Sequence, residues 1–138
     1  MSREMKYFSY LEKIAAAIDP STINRVKFAS CIVYKNEIVS IGVNKLKSHP
    51  FQSRFAKNTD AIFLHSETDC IKNALKIITP TELTKSSLFI CRVKYHDESR
   101  RKHVWGLSKP CEGCLRAIAT FGIRKVAYTC DGGNYKYL

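Results

Sequence analysis

Residues 110–130, PCEGCLRAIATFGIRKVAYTC, decide the fold. Pro110 suits a helix entry, where a missing N–H costs little. Leu115, Ile118 and Ala119 then recur at helical spacing, and Gly122 is a good helix stop. Lys125 to Cys130 follows as a β-rich run. Upstream, Leu88 to Tyr95 reads as another strand. A helix between two strands predicts a parallel crossover, and with it a layered α/β sheet.

The rest of the chain extends this unit. Tyr7, Phe8, Leu11, Ile14, Ala15 and Ile18 form one stripe over residues 3–18, which predicts an amphipathic helix stopped by Asp19-Pro20. Ala29 to Tyr34 and Ile38 to Val43 flank Lys35-Asn36-Glu37 and predict an antiparallel hairpin. Residues 44–60 are polar and basic, contain Pro50, and read as a long loop. Ile71, Ala74, Leu75 and Ile78 predict a helix after His65. Residues 96–109 read as a second long loop. Asp131-Gly132-Gly133 reads as a turn, and Tyr135 and Tyr137 either close a pocket or fray, with a further strand missing or improvised. The order α-β-β-α-β-α-β predicts a single domain over 1–138, with a mixed central sheet flanked by helices.

Composition bounds the function. Hydrophobic content of 45% and charged content of 25% are ordinary for a soluble globular chain. No apolar run reaches the length of a membrane span, and no secretory pattern is seen. Of six cysteines, Cys31, Cys70, Cys91 and Cys130 lie in or beside apolar segments and read as small core residues. That usage points to a reducing, intracellular and hence cytoplasmic setting. Lysine and arginine total 23 against 12 acidic residues, a net charge of +11. Such an excess predicts an anionic partner, either a nucleotide phosphate or a nucleic-acid backbone. The run Arg100-Arg101-Lys102-His103 is the candidate nucleic-acid contact, partly neutralised by Asp97 and Glu98.

The remaining cysteines carry chemistry. His65-Ser66-Glu67 and Pro110-Cys111-Glu112-Gly113-Cys114 offer an imidazole, two thiolates and a carboxylate. Zinc is borderline-soft and suits such nitrogen and sulfur ligands. Three protein ligands leave a fourth position for water, as in catalytic zinc sites. Both groups lie where helices begin, and helix N-termini favour thiolate over thiol. A structural zinc site would need a fourth protein ligand, for which His49, His96 and His103 are candidates. Glu67 is placed to handle the water's protons. His65 and Glu67, two apart, would splay on a regular helix, so helical spacing alone does not bring them to one metal.

The pair H-x-E and P-C-x-x-C is the signature of zinc deaminases, and here the chain resembles the cytidine and deoxycytidylate deaminase superfamily over roughly residues 5–130. Ile38-Val-Ser-Ile-Gly-Val-Asn44 is similar to the family strand that ends in a sugar-contacting asparagine. The resemblance implies a cytidine deaminase-like three-layer fold, with Zn2+ at two helix N-termini held by His65, Cys111 and Cys114. It implies Glu67 as proton carrier and Asn44 as sugar contact. Ser66 stands where alanine is common and remains a candidate for backbone contact to the base. Lys45, Lys47 and Arg54 are candidates for phosphate. Tyr128 is the best stacking candidate, ahead of Phe51 and Trp105.

The branch most similar is that of the deoxycytidylate deaminases, including short viral members. This implies deamination of deoxycytidine monophosphate (dCMP) to deoxyuridine monophosphate (dUMP) and a homo-oligomeric assembly. The glycine-rich segment usual after the asparagine reads Lys45-Leu-Lys47-Ser-His49-Pro50 here, so the family's allosteric nucleotide site is not implied. The alternatives are a deaminase of cytosine or adenine in single-stranded DNA or RNA, and a non-enzymatic zinc-stabilised nucleic-acid-binding module. The carboxylate of Glu67, which a pure binding module does not need, argues against the last.

Overall fold

A computed structural model describes residues 2–19, 27–46, 49–55, 64–96 and 102–138. The elements are α1 (Arg3–Ala16), β1 (Lys27–Tyr34), β2 (Glu37–Val43), α2 (Pro50–Phe55), α3 (Ser66–Ala74), α4 (Pro80–Leu83), β3 (Ser87–Tyr95), β4 (His103–Gly106), α5 (Glu112–Phe121), β5 (Lys125–Thr129) and β6 (Tyr135–Tyr137). The sheet order is β2-β1-β3-β5-β6, with β4 also on β3.

The crossover read from residues 110–130 is present: β3 leads through α5 to β5, and the two strands are parallel. Gly122 ends α5 in the left-handed conformation at φ 70°, where a side chain would be strained. The β1–β2 hairpin turns at Lys35 and Asn36, both left-handed at φ 51° and 65°. That is the backbone of the two-residue hairpin turn whose twist matches the strands. Ser2 caps α1, its side chain accepting from the Met5 N–H at 3.2 Å. The helix ends at Ala16, short of Ile18; the Pro20 invoked to stop it lies outside the described residues.

Alternation along the strands divides the core between two faces. Cys31, Phe89, Cys91 and Val93 face Phe8, Leu11 and Ala15 of α1. Ile32, Leu88, Ile90 and Val126 face Ile71 and Ala74 of α3 and Ala117 and Ile118 of α5. Each fully buried side chain of this size contributes about 1.5–3 kcal/mol. Cys31, Cys70, Cys91 and Cys130 are buried free thiols, as the sequence suggests. Burial pushes the thiols of Cys31 and Cys91 up to about 12. No described helix is long and apolar enough to cross a membrane.

Both segments read as loops contain structure. The first holds α2, whose six residues are too few to show a period. The second holds β4, four residues paired to the end of β3 from Arg92↔Gly106 to Tyr95↔His103. The last residues are also ordered by pairing: β6 lies antiparallel to β5, and the Tyr135 ring packs tilted against Phe8 at 4.9 Å.

Where β4 and β5 part from β3, a polar knot forms. The Thr129 hydroxyl accepts from the Arg92 N–H at 3.1 Å and donates to the Gly106 carbonyl at 2.8 Å. The Ser108 hydroxyl accepts from the Thr129 N–H at 2.8 Å and donates to the Ile90 carbonyl at 2.9 Å. Ser108 is buried, so this knot fixes the entry to α5.

Candidate metal centre and active site

The starts of α3 and α5 face each other. His65 is the N-cap of α3, extended at φ −83°, ψ 160°, and Cys111 is the N-cap of α5 at φ −72°, ψ 173°. Neither side chain makes the usual capping hydrogen bond. The extended cap also resolves the splay expected of positions 65 and 67, because His65 lies outside the helical turn. Its Nδ1 is 3.4 Å from Cys111 Sγ and 3.3 Å from Cys114 Sγ.

Among the described residues, His65, Cys111 and Cys114 are the group able to hold a metal, with ligand atoms within 4.8 Å of one another. Zinc bonds of about 2.0–2.3 Å at tetrahedral angles set nitrogen and sulfur ligands about 3.5 Å apart, so the donor set and its spacing fit. His49 and His103 are not in the group: His49 Nδ1 accepts from the Phe51 N–H at 3.0 Å, and His103 stacks on Tyr95 at 4.6 Å. Among the described residues the group has three ligands, and His96 is not in it either.

Protons are shared unequally here. A hydrogen bond from the Cys114 thiol, the largest cause, holds Cys111 down to about 3. The same bond, then burial, pushes Cys114 up. The bond to Cys111 raises His65.

The α3 start is braced from three sides. Gly42 of β2 lies so close that a Cβ there would meet the Cys70 nitrogen and the Ser66 carbonyl oxygen at 2.3 Å. Gln52 of α2, buried, accepts from the His65 N–H at 3.1 Å and from the Thr68 hydroxyl. It thereby ties the N-cap backbone of α3 to α2. Asp69, also buried, accepts from the Val43 N–H at 3.1 Å and lies 3.3 Å from Lys45 and 3.4 Å from Lys72.

Glu67 sits in the first turn of α3, 6% exposed, and its Oε1 accepts from the Ser66 hydroxyl at 2.7 Å. It opens into a cavity of about 280 Å³. His65, Ser66 and Cys111 share its polar floor, Phe28, Leu46 and Leu64 supply apolar wall, and Asn44, Lys45 and Lys109 complete it. The Asn44 Oδ1 accepts from the Phe28 N–H at 2.9 Å, which sets the amide's orientation.

The structure thus brings together His65, Ser66, Glu67, Cys111 and Asn44 in the cavity wall, with Cys114 behind them. Lys47 lies outside the described residues, as do Arg100 and Arg101 of the basic run. Arg54 is exposed on α2 beside the Phe55 ring at 5.0 Å and does not line the cavity. Tyr128, 8% exposed, packs in the core between sheet and helices. Phe51 packs on Phe55 and Phe121, and Trp105 lies with Phe8 on the other face. Sequence reasoning missed Phe28, Lys109, Gln52 and Ser30. Only Lys109 carried a signal, its place directly before Pro110-Cys111.

The sequence model of the cytidine and deoxycytidylate deaminase zinc-binding region matches residues 1–130, and the chain belongs to this family. It is a zinc-dependent hydrolytic deaminase of the cytidine deaminase-like fold. Among solved structures, it is similar to the dCMP deaminase of cyanophage S-TIM5 in apo form, with a TM-score of 0.60 and 22% identity over 94% of this chain and 85% of that one. The same phage enzyme in complex with dCMP and dUMP gives 0.57 and 23% over 93% and 82%. Cytidine deaminase from Burkholderia pseudomallei gives 0.63 and 13% over 100% and 92%. No protein of curated function matches the chain significantly.

Proposed function

We propose that the protein deaminates a free pyrimidine nucleotide, converting dCMP to dUMP and ammonia. The observation that carries this reading is the content of one cavity: Glu67 beside the His65–Cys111–Cys114 group, Asn44 on the wall, and the exposed Lys45 and Lys109 among the lining. A cavity of about 280 Å³ has room for one small polar ligand. The likeness to a phage enzyme crystallised with dCMP and dUMP agrees with it.

His65, Cys111 and Cys114 hold zinc in this proposal. The metal, when bound, makes a water nucleophilic at neutral pH. Glu67 would take a proton from that water as its oxygen bonds to the amine-bearing ring carbon, deliver it to the adjacent ring nitrogen, and then carry the second proton of the same oxygen to the departing amine, leaving a carbonyl on the ring. The C–N bond breaks with its electron pair on nitrogen, and ammonia leaves. Asn44 contacts the sugar, and Phe28 is the aromatic wall against which the base lies. Lys109, with Lys45, attracts the phosphate, although Asp69 already holds part of the Lys45 charge.

The test is ammonia release and product mass on deoxycytidine, dCMP, deoxycytidine triphosphate, cytidine monophosphate, adenosine nucleotides and a mixed-sequence single-stranded oligonucleotide. Fast turnover confined to dCMP is the expected result. Turnover of the oligonucleotide alone would overturn it and move the basic loops into a substrate groove.

A further inference from the structure

The Glu67 carboxylate is the end of a buried chain of hydroxyls. An ionised carboxylate only accepts hydrogen bonds, so the Ser66 hydroxyl, 2.7 Å from Glu67 Oε1, must donate to it. That uses the one proton Ser66 has. The Ser30 hydroxyl lies 2.7 Å from the Ser66 oxygen, so it must be the donor of that second bond. Both serines are 0% exposed, which leaves no room for water to take either place. Ser30 is well anchored, paired with Gly42 of β2 and Ile90 of β3.

We propose that Ser30 and Ser66 are positioning residues for the reaction, a directed hydroxyl chain that fixes the rotation of the Glu67 carboxylate from an interior strand of the sheet. The inference rests on the reading of Glu67 as the proton carrier. With Oε1 tied to Ser66, the two oxygens are no longer equivalent, and the other one meets the substrate. A bond to an ionised acceptor is shorter and stronger than a neutral one, so Ser66 holds the carboxylate before substrate arrives. Ser30 does not itself line the cavity, and its hydroxyl meets the lining only at Ser66, so it acts through Ser66.

This arrangement has a kinetic signature. Steady-state rates would be measured for Ser66→Ala, Ser30→Ala, the double variant and Glu67→Ala, on the nucleotide that the wild type turns over fastest in the panel above. Zinc content and thermal midpoint would be read alongside. Ser66→Ala is expected to lower kcat about tenfold, the worth of one hydrogen bond to a charged group, with KM within about twofold. Ser30→Ala is expected to lower kcat about threefold, again at unchanged KM and zinc content. The double variant should be no slower than Ser66→Ala, because a donor without its acceptor has nothing left to orient.

Unchanged kcat in Ser66→Ala, a loss confined to KM, or a double variant whose effects multiply would each overturn the proposal. Should Ser66→Ala fail to fold, Ser30→Ala decides by itself, a lower kcat supporting the chain and an unchanged one overturning it. Activity retained in Glu67→Ala would instead overturn the underlying assignment of Glu67, so the two failures are distinguishable.

Discussion

The starts of α3 and α5 use one backbone solution and two opposite surroundings. Each helix begins at an extended N-cap whose side chain is spared from capping: His65 in one, Cys111 in the other. At α3 the first turn is sealed, with Ser66, Glu67, Thr68 and Asp69 exposed by 0%, 6%, 0% and 2%. At α5 Cys111 and Glu112 are exposed, and Gly113 and Cys114 are buried behind them. The sealed turn has its polar groups committed to Gln52, Ser30 and the β2 backbone. The open turn has an exposed 2.7 Å ion pair, Glu112 with Arg116. On the proposed function, the difference teaches where precision is needed: the side that would handle protons is fixed in place, and the open side would admit the ligand.

The comparison breaks most directly at Glu67. Glu67→Ala should cut turnover at least about a hundredfold, the lower end of what a positioned acid–base group supplies, while zinc content stays at the wild-type level. Rate measurements paired with metal analysis check this; substantial residual turnover would remove its proton role. Next comes the brace. Gln52→Ala leaves the His65 N–H short of an acceptor and turns the Thr68 hydroxyl to the His65 carbonyl alone, and should cost about 1–3 kcal/mol in chemical denaturation, with weaker zinc retention against a chelator. A neutral result would mean that the sealing of α3 is incidental.

Smaller effects belong to the open side. Lys109→Ala should raise KM for dCMP a few-fold, by loss of about 1 kcal/mol, and leave kcat and the thermal midpoint unchanged. Equal KM values for variant and wild type would take Lys109 out of phosphate recognition. Smallest of all, Glu112→Ala should shift stability by no more than about 0.5 kcal/mol in denaturant titration, since exposed i,i+4 pairs contribute little. A loss as large as that of Gln52→Ala would erase the contrast between the two helix starts.

Much of this architecture is legible along the chain because its causes are local. Pro110, the apolar spacing and Gly122 delimit α5, and alternation marks β1, β2, β3 and β5. The ligand set is legible because its types and spacing carry the chemistry. What escaped has long-range causes. Ser30 meets Ser66 only because β1 lies under α3, and nothing near position 30 signals that. Gln52 matters through a bond to His65, made from a helix too short to show a period. β4 exists because β3 offers it an edge. Phe28 and Tyr128 look alike as strand aromatics; packing around β5 covers Tyr128, whereas Phe28 keeps a surface in the cavity.

The central claim is that one group of three side chains holds the zinc and a neighbouring carboxylate does the proton work. The most direct measurement is zinc per chain and nucleotide turnover on the same preparations of wild type, Cys114→Ala and Glu67→Ala. The account predicts that Cys114→Ala loses both zinc and turnover, while Glu67→Ala keeps zinc and loses turnover. Full zinc in Cys114→Ala, or near-normal turnover in Glu67→Ala, would contradict it.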